Sequence, residues 1–299
     1  MGGILQTDLM LKNSSIQHLI QLNFAVLLIS TSGTLGRYID LPVPIIIASR
    51  ALIGGFALNC FCRWKKLSFK IKKEDRKIVF FSGVLMGTHW ISYFYALKLS
   101  NVAIGMLSVF TYPVITSFLE PIILKSKFDK SNIFMGLLVL IGIYFLVPDF
   151  SFENTYLKAI GFGVFSAFCY SIRNILMKAK VKEYEGSILM SYQLIIVSIL
   201  LTPTFFIYDN SGFQEALPAV LILSILTTAT GHTLFIYSFK NFSITTASII
   251  SSIQPVYGIL IGMLILKEFP EKTTIIGGLI ILSSVVIESV RTYRKKLKK

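Results

Sequence analysis

The sequence predicts an all-α integral membrane protein whose ten transmembrane helices form two five-helix repeats of opposite direction. Three observations carry that prediction. Hydrophobic residues make up 54% of the 299 positions and the mean hydropathy is +0.71, more apolar than a soluble domain that must present a polar surface to water. Apolar runs long enough to cross a bilayer follow one another along almost the whole chain. The second half also repeats the first without a gap, so that "TYPVITSFLEPIILK" at 111–125 recurs as "IQPVYGILIGMLILK" at 253–267.

A bilayer core about 30 Å thick needs about 20 helical residues. Runs of that size lie at roughly 17–38, 42–62, 78–97, 101–124, 132–148, 157–177, 187–208, 216–238, 243–266 and 272–290, giving spans 1 to 10. The junctions at 39–42 and 240–243 are the weakest boundaries, and a nine-span chain with one pair fused into a bent helix is the alternative count. These Leu/Ile-rich runs lack the polar/apolar alternation of a membrane β-barrel.

Basic residues set the orientation. With the N-terminus inside, 22 of the 29 Lys and Arg residues fall on the cytoplasmic side and five outside, leaving Arg50 and Arg173 within spans. Cytoplasmic loops carry such an excess, so both termini are expected in the cytoplasm and the chain in the cytoplasmic, or inner, membrane. The net charge of +14 and the basic end "RTYRKKLKK" then belong to loops facing an anionic leaflet, and nucleic acid is not an expected partner. Cys60, Cys62 and Cys169 have no metal-ligand spacing, so no disulfide framework and no metal are expected. The first run has no A-x-A cleavage site, and it is expected to stay in the mature protein.

The repeat has a fixed offset of 142 positions. It places "YALKLSNVAIG" at 95–105 over "YSFKNFSITTA" at 237–247, Pro113 over Pro255, Lys130 over Lys272 and Gly136 over Gly278. Chance matching of apolar segments is the competing explanation, and the matching polar positions weigh against it. Five spans per copy is an odd number, so the copies enter the membrane in opposite directions. The implied organisation is a cytoplasmic N-terminus at 1–16, repeats at 17–148 and 157–290, an external linker at 149–156 and a basic cytoplasmic tail at 291–299. Inverted repeats let two halves exchange conformations about a midplane site, which points to a secondary transporter.

The mid-span prolines Pro113 and Pro255, the stretch "LILKE…TTIIGG" with Lys267, Glu268, Thr273, Gly277 and Gly278, and Arg50 within span 2 resemble the drug/metabolite transporter superfamily, in its EamA-type ten-helix members. The likeness covers residues 17–290. It departs where Ser126 stands at the position matching Glu268. The resemblance implies a basket of helices around a central cavity, lined mainly by spans 1, 3, 4, 6, 8 and 9, with spans 5 and 10 peripheral. It implies small-molecule substrates such as amino acids, nucleotide-linked sugars, organic acids, cofactors or drugs.

Polar and aromatic groups inside a bilayer are costly unless they face the bundle interior or water. On that ground His89, Trp90 and Tyr93 in span 3 and Tyr112 beside Pro113 are candidate substrate-binding residues. His232 in span 8, and Gln254 and Tyr257 around Pro255, are their second-half counterparts. Arg50 and Arg173 each need carbonyls, water or a carboxylate nearby. One of them could hold a substrate's carboxylate or phosphate, or each could serve a structural contact, Arg173 by snorkelling toward the cytoplasmic end of span 6. Pro113 and Pro255 are candidate hinges that gate the path, each depriving the carbonyl four residues back of its donor. Span 1 lacks the glutamate that the distantly similar small multidrug exporters use for proton exchange, so His89, His232 or Glu120 would carry any coupling.

The sequence contains no Walker loop and no H-E-x-x-H, and no cofactor is expected. The acidic loop residues Asp149, Glu153, Asp209 and Glu215 lack the clustering that an integral lipid-modifying enzyme, the reading from another class, would need. The favoured function is export of amino acids or related metabolites by alternating access, by a monomer or homodimer, with a nucleotide-sugar, cofactor or drug carrier as the alternative. A reporter that fluoresces only in the cytoplasm is expected to light up when fused after Lys299 and to stay dark when inserted at residues 39–42. The opposite pattern would reverse the orientation.

Overall fold

The structure, a computed structural model, describes residues 2–125, 128, 130–146, 154–242, 247 and 250–297. It is all helical, with no strand among the described residues. The long helices are α1 (Gly2–Tyr38), α2 (Val43–Trp64), α3 (Arg76–Leu99), α6 (Ser131–Leu146), α7 (Thr155–Lys180), α8 (Gly186–Leu201) and α12 (Lys272–Leu297). Shorter pieces are α4 (Val102–Val109), α5 (Tyr112–Ile123), α9 (Phe213–Ile222), α10 (Thr233–Ser238) and α11 (Gln254–Leu266). A π-helical segment, Leu223–His232, joins α9 to α10, and a 3-10 turn, Thr202–Phe206, closes α8.

Among the described residues, seven helical stretches are long and apolar enough to cross a membrane, and three shorter apolar helices (Ile133–Leu146, Gln254–Leu266 and Lys272–Ser284) accompany them. They follow the order of the ten predicted spans. The predicted spans at 132–148 and 243–266 run partly outside the described residues, as do the linker with Asp149 and Glu153 and the last two residues of the tail. Helices α1 and α12 continue through the segments 2–16 and 291–297 that were expected to stand apart from the spans. A helix satisfies its hydrogen bonds locally, so it need not stop where apolarity does.

Local chemistry marks the other ends. Asn101 and Asn154 cap α4 and α7, each accepting a backbone N–H at 2.9 Å, as short polar side chains do at helix starts. Pro44 opens α2, where its missing N–H costs nothing. Span 4 differs from the expected kinked helix. The chain turns at Phe110 and Thr111 and restarts as α5, with Pro113 as its second residue. Pro255 is likewise the second residue of α11, after a turn at Ser252 and Ile253. At these positions proline opens a new helix and breaks no interior bond.

Helix α3 packs most extensively on α7, α6 on α12, α2 on α8, and α1 on both α11 and the π segment. Their shared interior holds Trp90, Phe94, Phe235, Phe239 and many aliphatic side chains, all buried. The outside carries many large apolar side chains: Phe56, Phe206 and Leu264 are each more than two-thirds exposed, the pattern of a surface solvated by lipid. Helices α6 and α12 approach through bare backbone. A Cβ on Gly277 would stand 2.6 Å from the Gly142 carbonyl oxygen, and one on Gly142 would stand 3.0 Å from that of Gly277. Gly277→Ala is therefore expected to destabilise the protein by about 1–3 kcal/mol, read as a lower melting temperature in detergent. An unchanged melting temperature would mean that the two helices are free to part.

Candidate functional site

A cavity of about 30 Å³ lies at the middle of the bundle, large enough for a water or two. Its walls come from α1, α3, the α4–α5 break, α7, the π segment and α11, which are spans 1, 3, 4, 6, 8 and 9. Six of the nine predicted binding residues line it: His89, Trp90, Tyr93, Tyr112, His232 and Gln254. Larger hollows of about 770 and 280 Å³ open elsewhere, one beside Phe69 and Arg76 and one beside Phe61 and Leu234. The small central cavity is the candidate because polar and aromatic side chains from six elements converge on it.

One wall is aromatic. The His89 ring stacks on Tyr170 at 4.4 Å and lies parallel to Tyr93 at 6.2 Å. Tyr112 meets Tyr170 edge-on at 5.0 Å, and its hydroxyl lies 2.6 Å from Ser251 Oγ. His89 Nδ1 is 3.2 Å from the Ser166 carbonyl oxygen and 2.7 Å from Ser166 Oγ. A carbonyl only accepts, so Nδ1 carries the hydrogen and Nε2 keeps its lone pair.

Arg50 is fully buried behind this wall. Its Nε donates to Thr228 Oγ1 at 2.5 Å, its Nη2 lies 3.3 Å from His232 Nε2 and its Nη1 lies 3.5 Å from Ser32 Oγ. The guanidinium sits 4.0 Å from the Trp90 ring centroid, within cation–π reach. Thr228 in turn donates to the Leu223 carbonyl, five residues back. Its local partner thus follows the π register of this segment. Helix α2 can come this near because Gly54 has no Cβ, which would otherwise stand 2.8 Å from the Ser224 carbonyl oxygen.

Arg173 does not line the cavity and does not snorkel. It is fully buried, with Nε and Nη2 both donating to Gln193 Oε1 at 2.9 and 2.7 Å and Nη1 donating to Asn174 Oδ1 at 2.9 Å. A fork of donors on one amide oxygen holds the side chain in place. Tyr257 packs against the core without lining the cavity, and Glu120 lies half-buried on α5 away from it. Tyr170, Ser166, Ser32 and Thr228 belong to the site but were not marked as binding residues. Tyr170 had a signal, being one turn before Arg173 on the same face of its helix. No trio of His, Cys, Asp and Glu among the described residues could hold a metal.

Polar clusters tie helix ends together at the two ends of the bundle. At one end Arg37 Nε donates to Glu268 Oε1 at 2.9 Å, Glu268 Oε2 accepts the Val102 N–H at the start of α4, and Lys98 Nζ donates to the Ile39 carbonyl. At the other, Asp75 accepts from Lys180 at 2.7 Å and from the Tyr184 hydroxyl at 2.6 Å, while Lys72 and Lys180 both reach Glu183. The hydrogen bonds from Lys72 and then Lys180 hold the Glu183 carboxyl below its ordinary range.

The sequence profile of the EamA-like transporter family matches residues 19–147 and 157–290. The chain belongs to the EamA-like transporter family. Among its relatives, an uncharacterized transporter of Archaeoglobus fulgidus is 28% identical over 66% of this chain and 70% of its own length. The uncharacterized transporter YwfM of Bacillus subtilis is 22% identical over 83% of this chain and 85% of its own. A solved crystal structure that is 16% identical superposes with a TM-score of 0.69, covering 93% of this chain and 98% of the other, a likeness of fold. This EamA-like chain is thus a multi-pass membrane protein of a transporter family. In it Arg173→Lys, which keeps the charge and loses the fork, is expected to lose about 1–3 kcal/mol of stability. Equal melting of the two proteins in detergent would show that the Gln193 clamp contributes nothing.

Proposed function

We propose that the protein is a secondary transporter of small organic metabolites, amino acids or related compounds, acting by alternating access between inverted repeats at 17–148 and 157–290. The observation that carries this is the central cavity, where aromatic and polar side chains from six membrane helices meet. Such convergence suits the passage of a solute and wastes stability in a scaffold.

The inverted-repeat reading has further support. The turn–turn–helix pattern at 110–112 recurs at 252–254, and Lys125 and Lys267, 142 positions apart, both take positive φ where their helices end. The helix contacts fall into pairs that exchange when the halves are swapped. Helix α3 on α7 corresponds to the π segment on α1, and α4 with α5 on α7 corresponds to α11 on α1. The breaks before Pro113 and Pro255 are the hinges of this mechanism, and the polar clusters at Glu268 and Asp75 are its outer and inner closures. The membrane is the cytoplasmic one, with both termini inside, and export is favoured by the family resemblance.

If protons are coupled, His89 is better placed than His232 or Glu120. A proton on His232 Nε2 would displace the bond from Arg50 and set two cations together, whereas His89 keeps an open lone pair. Protein reconstituted in liposomes is expected to show saturable uptake of labelled amino acids or related metabolites. His89→Ala and Tyr112→Ala should cut the rate at least tenfold at normal expression, and His89→Ala should abolish any response to a pH gradient. Full rates in both variants would refute the cavity as the substrate path.

A further inference from the structure

Two hydrogen-bond donors on cavity-lining residues have no partner among the described residues. Trp90 Nε1 and His232 Nδ1 are buried, make no hydrogen bond among the described residues and belong to residues that line the same small space. The state of His232 follows from its neighbour. Arg50 can only donate, so Nε2 accepts and the neutral ring carries its hydrogen on Nδ1. The rings of Trp90 and His232, on different helices and each with one unpartnered N–H, meet edge-to-face with centroids 5.5 Å apart. The residues stand 142 positions apart, at matching places in the two halves.

The charges around them have one sign. Arg50 stacks on Trp90 and bonds His232, and Arg173 lies 5.9 Å from the ring of Tyr170, another wall residue. No described carboxylate forms an ion pair with either arginine, and no described acid lines the cavity. A buried charge is normally paired, and a buried donor normally finds an acceptor. A carboxylate meets both needs at once, since its two oxygens can each accept one N–H while its charge faces the guanidinium. An ammonium group would find cations and no counter-charge among the described wall residues.

We propose that the transported solute is an organic carboxylate, bound by Trp90 Nε1–H and His232 Nδ1–H with Arg50 behind them, and that an α-amino group adds nothing to its recognition. This rests on the transport reading and narrows it from amino acids in general to the acid function alone. The apolar body of the solute lies against Tyr93, Tyr112 and Tyr170. The present volume admits only the head group, so the body enters space that opens as the helices part. Donors at matching positions of the two halves can hold the carboxylate whichever side the site faces.

The test uses matched trios on phenyl, indole and isobutyl bodies, each as the carboxylic acid, the amino acid and the amine. Thermal shift of the purified full-length protein reads binding, and transport currents in proteoliposomes read flux and its sign. At least one acid is expected to raise the melting temperature and carry a negative-charge current, its amino acid to do no better, and its amine to do neither at tenfold higher concentration. Trp90→Phe keeps a ring against Arg50 and removes the N–H. It should weaken binding of the acid about tenfold with little change in melting of the unliganded protein. Binding or flux led by an amine or dependent on the amino group would overturn the anion site and leave the transport reading standing. So would acid binding indifferent to Trp90→Phe. Silence of all nine compounds in both assays would likewise overturn the anion site, while the transport reading stands or falls on the wider metabolite screen.

Discussion

The architecture turns on the cost of keeping two guanidinium groups inside an apolar bundle. Neither Arg50 nor Arg173 can shed its proton, and a bare charge at membrane depth is expensive. The chain meets that demand with neutral dipoles: the Thr228 and Ser32 hydroxyls, the His232 ring and the Trp90 face for Arg50, and the Gln193 and Asn174 amides for Arg173. Those partners sit on α1, α3, α7, α8 and the π segment. With α2, which carries Arg50, two side chains therefore fix how six elements face one another, and the aromatic wall around His89 follows from that arrangement.

The all-helical membrane class was legible because it depends on bulk apolarity, which the sequence displays directly. The wall residues His89, Trp90, Tyr112, His232 and Gln254 were legible for the converse reason, being polar where polarity is costly. Small hydroxyls were not. Ser30, Ser49, Ser92, Ser198 and Ser224 all return a hydrogen bond to the carbonyl four residues back, so a serine in a span is compatible with no partner across the bundle. Ser166 and Thr228 do find such partners, and only the packing of α3 on α7 and of α2 on the π segment tells them apart. The breaks at 110–111 and 252–253 were hidden because proline suits both a kinked helix and a fresh helix start. Arg173 reads as a snorkelling side chain until Gln193 is seen across from it, on a neighbouring helix.

The polar clusters divide their work differently at the two ends. Glu268 ties the end of α1 to the first N–H of α4, binding a side chain and a helix terminus with one carboxylate. The Asp75 cluster spreads over five side chains, several of them exposed. Dissolving the first frees two helices in a single step, whereas the second can loosen one bond at a time.

The smallness of the central cavity has a kinetic meaning. A space of about 30 Å³ excludes any metabolite, so on the proposed path solute entry creates volume that is now filled by side chains. Turnover then carries a positive activation volume, and compression should slow it. A solute is selected by the shape its own arrival helps to open, with the closed state acting as a barrier to leaks.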